Sequence, residues 1–137
     1  MNDSDDNRLG WMLDDALRMP ETRHAILFSA DGLLRARSRR IDRDDAERHA
    51  AAMSGLQSLA RATAAFCGDA ASPWRQTINE FDCGYVFLCP AAEGSFLAVS
   101  TTERVDIEAV SFRLHELVQR LGAHMTSQAR DGTGGRL

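Results

Sequence analysis

Histidine is the residue in this chain with the most versatile chemistry, but its spacing argues against a metal or acid–base site. No two histidines have the H-x-x-x-H spacing that places two ligands on one helix face. His115 is followed by Glu116, but adjacent residues of a helix point in different directions and do not form an acid–base pair. We therefore expect structural, partly exposed roles for the four histidines: His24, His49, His115 and His124.

Nucleophilic side chains also lack a catalytic arrangement. The serines occur in neither a G-x-S-x-G elbow nor an S-x-x-K pair, which are arrangements that activate a hydroxyl. The three cysteines have no spacing typical of a metal site or a disulfide framework, so we expect reduced, partly buried thiols at Cys67, Cys83 and Cys89. The sequence predicts a protein that is not an enzyme and that uses no cofactor.

Lysine is absent from the sequence, and all sixteen cationic side chains are arginine. A Walker A loop needs a lysine on the nucleotide phosphates, and Schiff-base chemistry needs a lysine amine. The acidic residues 42–47 lack the glycine and the bidentate glutamate of an EF-hand loop. These observations exclude P-loop NTPases, Schiff-base enzymes and EF-hand proteins.

The composition is typical of a single globular domain. The 137 residues are 44% hydrophobic and 26% charged, with a formal charge of −4, which argues against a general nucleic-acid binder. The N-terminus does not resemble a signal peptide, and no segment approaches the roughly 20 apolar residues that span a bilayer. We expect a cytoplasmic protein without nucleic-acid binding or membrane insertion.

Hydrophobic periodicity places these residues on a framework of helices and strands. The order predicts an α+β sandwich, in which helices cover an antiparallel five-stranded sheet. We expect the domain to span residues 8–126, with a flexible N-terminus at 1–7 and a disordered tail at 127–137. In chain order, the predicted elements are a helix over 8–19, strands over 23–29 and 33–39, a long helix over 42–66, strands over 74–81, 85–89 and 95–100, and a helix from 107 to about 125.

The long helix from Asp42 to about Phe66 has an apolar surface too wide for a single partner. With residues ~100° apart around the axis, its apolar positions fill an arc of roughly 200°, whereas packing on one sheet needs about 100°. One flank carries Ser54, Gly55 and Ser58, whose small side chains permit another backbone to come close. The pattern predicts one sector on the domain's own sheet and a second sector on another surface.

The two outer strands of the predicted sheet differ in charge. In the second strand, LLRARSR, alternation puts three arginines on one face and Leu34, Ala36 and Ser38 on the other. Such a row of charge protects a sheet edge from unwanted pairing; a basic docking patch is the alternative. The third strand, Trp74–Phe81, has no proline and few charges, so its edge is open to pairing.

The segments SADGLL, SGLQSLARA and EFDCGYVFLCPAAEGSFLAVS, in this order, resemble the Roadblock/dynein light chain family, especially its bacterial members. The resemblance covers about Leu9 to Met125. It implies a three-layer sandwich with strand order 2-1-5-4-3, the long helix on one face and two helices on the other. It also implies that two copies pair through their central helices and third strands.

The resemblance further implies a regulator or scaffold that binds a Ras-like small GTPase, in a bacterial signalling system that can include a sensor histidine kinase. Arg40 and Arg43 are candidates for docking this partner, or for an arginine finger; solvated loop charges are the alternative. The dimer contacts that the resemblance implies lie on the central helix and the third strand: Gly55, Ser58, Leu59, Ala62, Phe66, Arg75, Thr77 and Asn79.

Two other functions stay open at this point. A profilin-like module could enclose a small molecule between sheet and helix, although the strand faces read as filled with apolar side chains and without converging polar groups. A pure scaffold would bind partners without changing nucleotide turnover. A homodimer and a heterodimer with a relative both fit the sequence.

Overall fold

The strands and helices of the chain form one sheet that is covered on both faces. The computed structural model describes the backbone of residues 3–134 and the side chains of residues 9–126. No helix in this described part is long and apolar enough to cross a membrane. In chain order, the elements are α1 (Asp3–Ala16), β1 (Thr22–Ser29), β2 (Leu34–Arg37), α2 (Arg43–Ala62), α3 (Ala64–Cys67), β3 (Thr77–Phe81), β4 (Gly84–Pro90), β5 (Ser95–Thr102) and α4 (Ile107–Gly134).

The five strands are antiparallel and lie in the order β2-β1-β5-β4-β3, which confirms the predicted topology. At the centre of the sheet, Ile26 of β1 is opposite Ala98 of β5, which is opposite Leu88 of β4. The edges of the sheet are β2 and β3. Each edge strand therefore has one side without a partner strand among the described residues.

Successive side chains of each strand point to opposite faces of the sheet, and each face has its own hydrophobic core. Leu27 and Leu97 point to one face, where they pack with residues of α1 and α4 such as Leu117. Phe28 and Phe96 point to the other face, in the same core as residues of α2. This arrangement confirms the predicted three layers, with the long helix on one face and two helices on the other.

The N-terminal half of helix α2 packs on the sheet through small inward residues. Ala46 and Ala50 are fully buried. At the start of the helix, the Asp42 carboxylate accepts hydrogen bonds from two backbone N–H groups of the first turn, as expected for a capping residue. Farther along, the Ser54 hydroxyl donates a hydrogen bond to the Ala30 carbonyl at 2.6 Å. This bond holds α2 on the turn between β1 and β2.

The predicted long helix is interrupted close to its end. α2 ends at Ala62, and the short helix α3 follows after Thr63. The Thr63 hydroxyl donates a hydrogen bond to the Ala60 carbonyl at 2.6 Å; such bonds compete with the regular backbone ladder. The prediction of one unbroken helix to Phe66 was therefore wrong, and Phe66 belongs to a separate helical turn.

A bulge in β2 changes the faces that were predicted for this strand. Leu27 is opposite Ala36, but the next residue, Phe28, is opposite Leu34, so Arg35 is an extra residue in the ladder. Consequently, Leu34 packs in the core under α2 and Ala36 packs in the core under α1 and α4. The prediction that both residues share a face was wrong, because a simple alternation does not reveal a bulge.

The terminal helices extend farther outward than the predicted boundaries. α1 begins at Asp3, ahead of the predicted start at Arg8, and α4 continues to Gly134, beyond the predicted end near Met125. The residues after Met125 end the apolar stripe but include no strong helix breaker before Gly132. The domain limits at residues 8 and 126 and the flexible ends stay predictions. Residues 1–2 and 135–137 lie outside the described residues.

Candidate interaction surface

The C-terminal half of α2 and the adjoining α3 expose apolar side chains. Leu59 is 70% exposed and Phe66 is 98% exposed, which is unusual for residues of this size. Ala62 is exposed as well, and no heavy atom lies within 4 Å of the place that a Cβ would occupy on Gly55. We call these four residues the outer row: the three on α2 are three or four residues apart and therefore share one face of that helix, and Phe66 follows them on α3.

The small residues on the other side of α2 already have a partner within the chain. Ser54 is bonded to Ala30, and the Cβ position of Gly32 lies 3.5 Å from the Ala51 Cα atom. The close backbone approach that the small residues predict is therefore met here by the chain's own β1–β2 turn. Ser58 is exposed; it follows Ser54 by one helical turn and Gly55 by three residues, so it lies between this turn and the outer row.

The edge strand β3 is shorter than predicted. The indole Nε1 of Trp74 donates a hydrogen bond to Oγ1 of Thr77 at 2.9 Å, and its ring centroid lies 6.1 Å from that of Phe96. Trp74 thus packs against the sheet before the strand begins. Arg75 precedes β3, so the prediction that it belongs to the pairing strand was wrong.

A groove of about 310 Å³ lies between α2 and the half of the sheet that leads to β3. His49, Met53 and Leu56 line it from α2, and Asn79 and Phe81 line it from β3. Phe81 is 55% exposed, so the groove has an open apolar rim at the sheet edge. We take the outer row, this groove and the β3 edge together as the candidate surface and call them the open face.

Two polar side chains lie at one end of the groove. His24 and Ser100 are opposite each other on β1 and β5. Nδ1 of His24 and Oγ of Ser100 are buried and have no hydrogen-bond partner among the described residues. Burial lowers the pKa of His24 from its ordinary value of 6.5, and the positive charges of Arg23, Arg40 and His49 lower it further. The neutral form of His24 is favoured there.

The arginine-rich edge contacts the chain itself. The Arg37 guanidinium donates a hydrogen bond to a backbone carbonyl after β2 at 2.9 Å, and Arg39 lies 4.0 Å from the carboxylate of Asp14 in α1. Arg43 pairs with a glutamate one turn along α2 at 3.0 Å. Arg40 is exposed. These contacts favour a structural role for the arginines over the basic docking patch.

The cysteines fall into two environments. Cys67 and Cys83 are exposed, whereas Cys89 is buried, and all three are free thiols. Burial raises the pKa of Cys89 to about 12. The expectation of three partly buried thiols was therefore wrong for Cys67 and Cys83. Within the described residues, no group of three His, Cys, Asp or Glu side chains could hold a metal ion.

Comparison with known proteins identifies the family of this fold. The sequence profile of the Roadblock/LC7 domain matches residues 9–101. The chain belongs to the Roadblock/LC7 family. A Roadblock/LC7 domain from Streptomyces avermitilis is 31% identical in sequence, with a TM-score of 0.80 over 86% of this chain and 98% of that one. No match to a curated protein was found.

More distant structures share the Roadblock/LC7 fold. MglB from Myxococcus xanthus superposes with a TM-score of 0.77 at 14% identity, over 88% of this chain and 97% of that one. The gliding protein MglB from Thermus thermophilus gives a TM-score of 0.74 at 17% identity, over 90% of this chain and 92% of that one. At these identities, the comparison supports the fold alone.

The groove is the feature of this Roadblock/LC7 domain that the sequence did not predict. The segments HAILF and SFLAVS alternate, so His24 shares a strand face with Ile26, and Ser100 shares one with Ala98. The signal was therefore present in each strand. The pairing that brings the two polar residues together depends on the register between distant strands, which alternation alone does not supply.

Proposed function

We propose that this Roadblock/LC7 protein is a non-enzymatic dimeric regulator or scaffold that binds a Ras-like small GTPase. The observation that carries the proposal is the open face, where Leu59 and Phe66 are largely exposed on a domain of this family. Exposed apolar side chains grouped on one part of the surface are typical of an interaction site in a globular protein. The family resemblance supplies the class of partner.

The first occupant that we propose for the open face is a second copy of this chain. Two copies related by a two-fold axis place their β3 edges side by side and their α2 helices next to each other. The groove then receives apolar side chains from the outer row of the second copy. The dimer contacts are Gly55, Leu59, Ala62 and Phe66 on the helices, with Thr77 and Asn79 on the strands; Ser58 and Arg75 lie at the periphery.

The GTPase binds to the assembled dimer in this proposal, in the cytoplasm of a bacterium, and a sensor histidine kinase belongs to the same signalling complex. A regulator can act by holding the switch loops of the GTPase in place, which needs no catalytic residue in the regulator. Arg40 is the better candidate for a docking residue, because it is exposed. Arg43 is paired with Glu47 and half-buried, which makes it a weaker candidate.

Binding and turnover test this function separately. A Ras-like GTPase from the same genome is loaded with a fluorescent GTP analogue and titrated with this protein, and both fluorescence anisotropy and the hydrolysis rate are recorded. We expect saturable binding that depends on the bound nucleotide. Unchanged turnover with binding would establish the pure scaffold, and absence of binding to every such GTPase would refute the proposal.

A second candidate function has one observation in its favour. The groove contains His24, Ser100 and Asn79 as polar groups within an apolar lining, contrary to the expectation that no polar groups converge. A profilin-like sensing module would bind a small molecule at such a site. Native mass spectrometry of the purified protein, followed by denaturation, would detect a retained ligand; a ligand-free spectrum would remove this candidate.

A further inference from the structure

The polar end of the groove carries a consequence for the dimer. His24 faces Ser100 across the strand pair, and neither the Nδ1 atom of His24 nor the hydroxyl of Ser100 has a hydrogen-bond partner among the described residues. These two atoms are already buried in the single chain, but the His24 side chain as a whole is only half-buried, so part of its ring still contacts water. A second copy that covers the groove removes this water from His24, because the outer row that enters it is apolar.

The charged groups around His24 all have the same sign. Arg23 precedes it on β1, Arg40 lies in the connection before α2, and His49 faces it from α2. From β5 and β3, the groove presents Ser100 and Asn79, which carry no charge. Arg39, beyond the end of β2, is directed to Asp14. A proton on His24 therefore adds a positive charge among positive charges, in a place that loses solvent when the groove is covered.

We propose that dimer formation through the open face is proton-linked, and that His24 is the group whose protonation opposes closure of the groove. This inference rests on the proposed dimer and adds its regulation. It assigns to His24 a role as a pH sensor, which is a common use of histidine at a protein interface.

The direction of the effect follows from linkage. Burial and the neighbouring cations already lower the pKa of His24 from 6.5 in the single chain, and covering the groove lowers that pKa further. A dimer that binds protons less well than its monomers weakens as the pH falls. The dimer is therefore fully stable above about pH 6.5 and loses affinity as the pH falls through the pKa of monomeric His24 and below it.

The size of the effect depends on how far closure lowers the pKa of His24. Each unit of additional lowering corresponds to about a tenfold change in affinity for each protonated site. Because a symmetric dimer contains two such sites, the dissociation constant rises by up to about a hundredfold per unit once the pH is well below the pKa values of both states.

Sedimentation velocity of the full chain at pH 7.5 and pH 5.5 tests this proposal. We expect the dissociation constant of the wild-type dimer to be larger at pH 5.5 than at pH 7.5, whereas His24→Gln removes most of this increase. His115→Gln is the matched control, because His115 is exposed on α4 on the opposite face of the sheet, and it keeps the increase. The variant His49→Gln tests whether the second histidine of the groove contributes to the increase.

Several results would overturn the inference. A dimer whose affinity is the same at both pH values refutes the proton linkage but leaves the proposed dimer intact. A protein that is monomeric at both pH values refutes the dimer and this inference together. The inference is also wrong if His49→Gln, but not His24→Gln, abolishes the pH dependence.

A direct titration keeps the test valid if His24→Gln does not fold. The histidine ring protons of the wild-type dimer and of a folded monomeric variant, Leu59→Asp, are followed by NMR between pH 8 and pH 5. We expect the pKa of His24 to be lower in the dimer than in the monomer. An equal or higher pKa in the dimer contradicts the proposal.

Discussion

The cysteines illustrate how burial decides reactivity at the scale of single residues. Only the thiolate attacks a disulfide reagent, and Cys89 has a pKa of about 12 because it is buried, whereas Cys67 and Cys83 are exposed. We therefore expect two thiols to react with an aromatic disulfide reagent in the native protein and the third to react only on unfolding. Cys83→Ser should remove one of the two fast reactions. Rapid labelling of all three thiols would contradict the assigned burial.

Gly84 is a residue at which the backbone accepts no side chain. Its φ is 155°, and a Cβ there would lie 1.9 Å from the Thr101 carbonyl oxygen on the neighbouring strand. We expect Gly84→Ala to lower the free energy of unfolding by about 3 kcal/mol or more, because strand pairing must shift. Gly55→Ala is the control: its Cβ position is open, and alanine in a helix should stabilise the monomer by up to about 1 kcal/mol.

Urea denaturation of a monomeric background, such as Leu59→Asp, measures both glycine variants without a contribution from dimerisation. A Gly84→Ala protein as stable as its parent would show that β4 and β5 are farther apart than the structure places them.

The need for glycine at position 84 could not be predicted from the sequence, because it depends on the position of Thr101 on another strand. The turn glycine Gly32, with a φ of 85°, is different, because an Asp-Gly pair between two strands is a local signal for such a turn.

At the scale of elements, the structure confirms that β2 and β3 are the two edges of the sheet, and the sequence predicts that β2 is the protected one. β3 carries no arginine, whereas β2 carries Arg35 and Arg37, and the structure places both strands at edges. The bulge at Arg35 and the start of β3 after Trp74 were not predictable. Both depend on packing against other elements, which local periodicity does not record.

Pairing through the open edge predicts a specific effect of charge. A lysine on an edge strand opposes pairing with another strand. We expect Asn79→Lys to weaken the dimer, because Asn79 lies on β3 beside the groove, without unfolding the monomer. Leu33→Lys is the matched control, since Leu33 is 60% exposed next to the opposite edge strand. Equal dimer affinities for the two variants, measured by sedimentation, would exclude the β3 edge from the interface.

The outer row predicts a second effect on the same dimer. Phe66 is 98% exposed in the single chain, so Phe66→Ser should not lower monomer stability. If the second copy buries this ring, its loss costs about 2 kcal/mol per copy, or about 4 kcal/mol per dimer, and the dissociation constant rises about a thousandfold. Phe112→Ser is the control, because Phe112 is 69% exposed on α4. A similar loss of affinity in both variants would place the contact elsewhere.

At the scale of the whole molecule, two sectors of one helix explain why this domain has both a core and an open face. Ala46 and Ala50 of α2 pack on the sheet. The apolar arc of this helix is wider than the sheet can cover, so its other sector stays exposed. The sequence predicted this division because the arc of apolar residues was wider than one contact requires. It did not predict the break at Thr63 or the polar groove, which arise only when distant segments meet.

The mass of the protein in solution tests the central claim, which is that two copies pair through the open face. Sedimentation equilibrium at micromolar concentration and pH 7.5 is the most direct measurement. We expect a species of twice the 15.1 kDa chain mass, with a shift toward the single-chain mass in Leu59→Asp. A wild-type protein that sediments at the mass of one chain, at every concentration accessible to the instrument, would contradict the account.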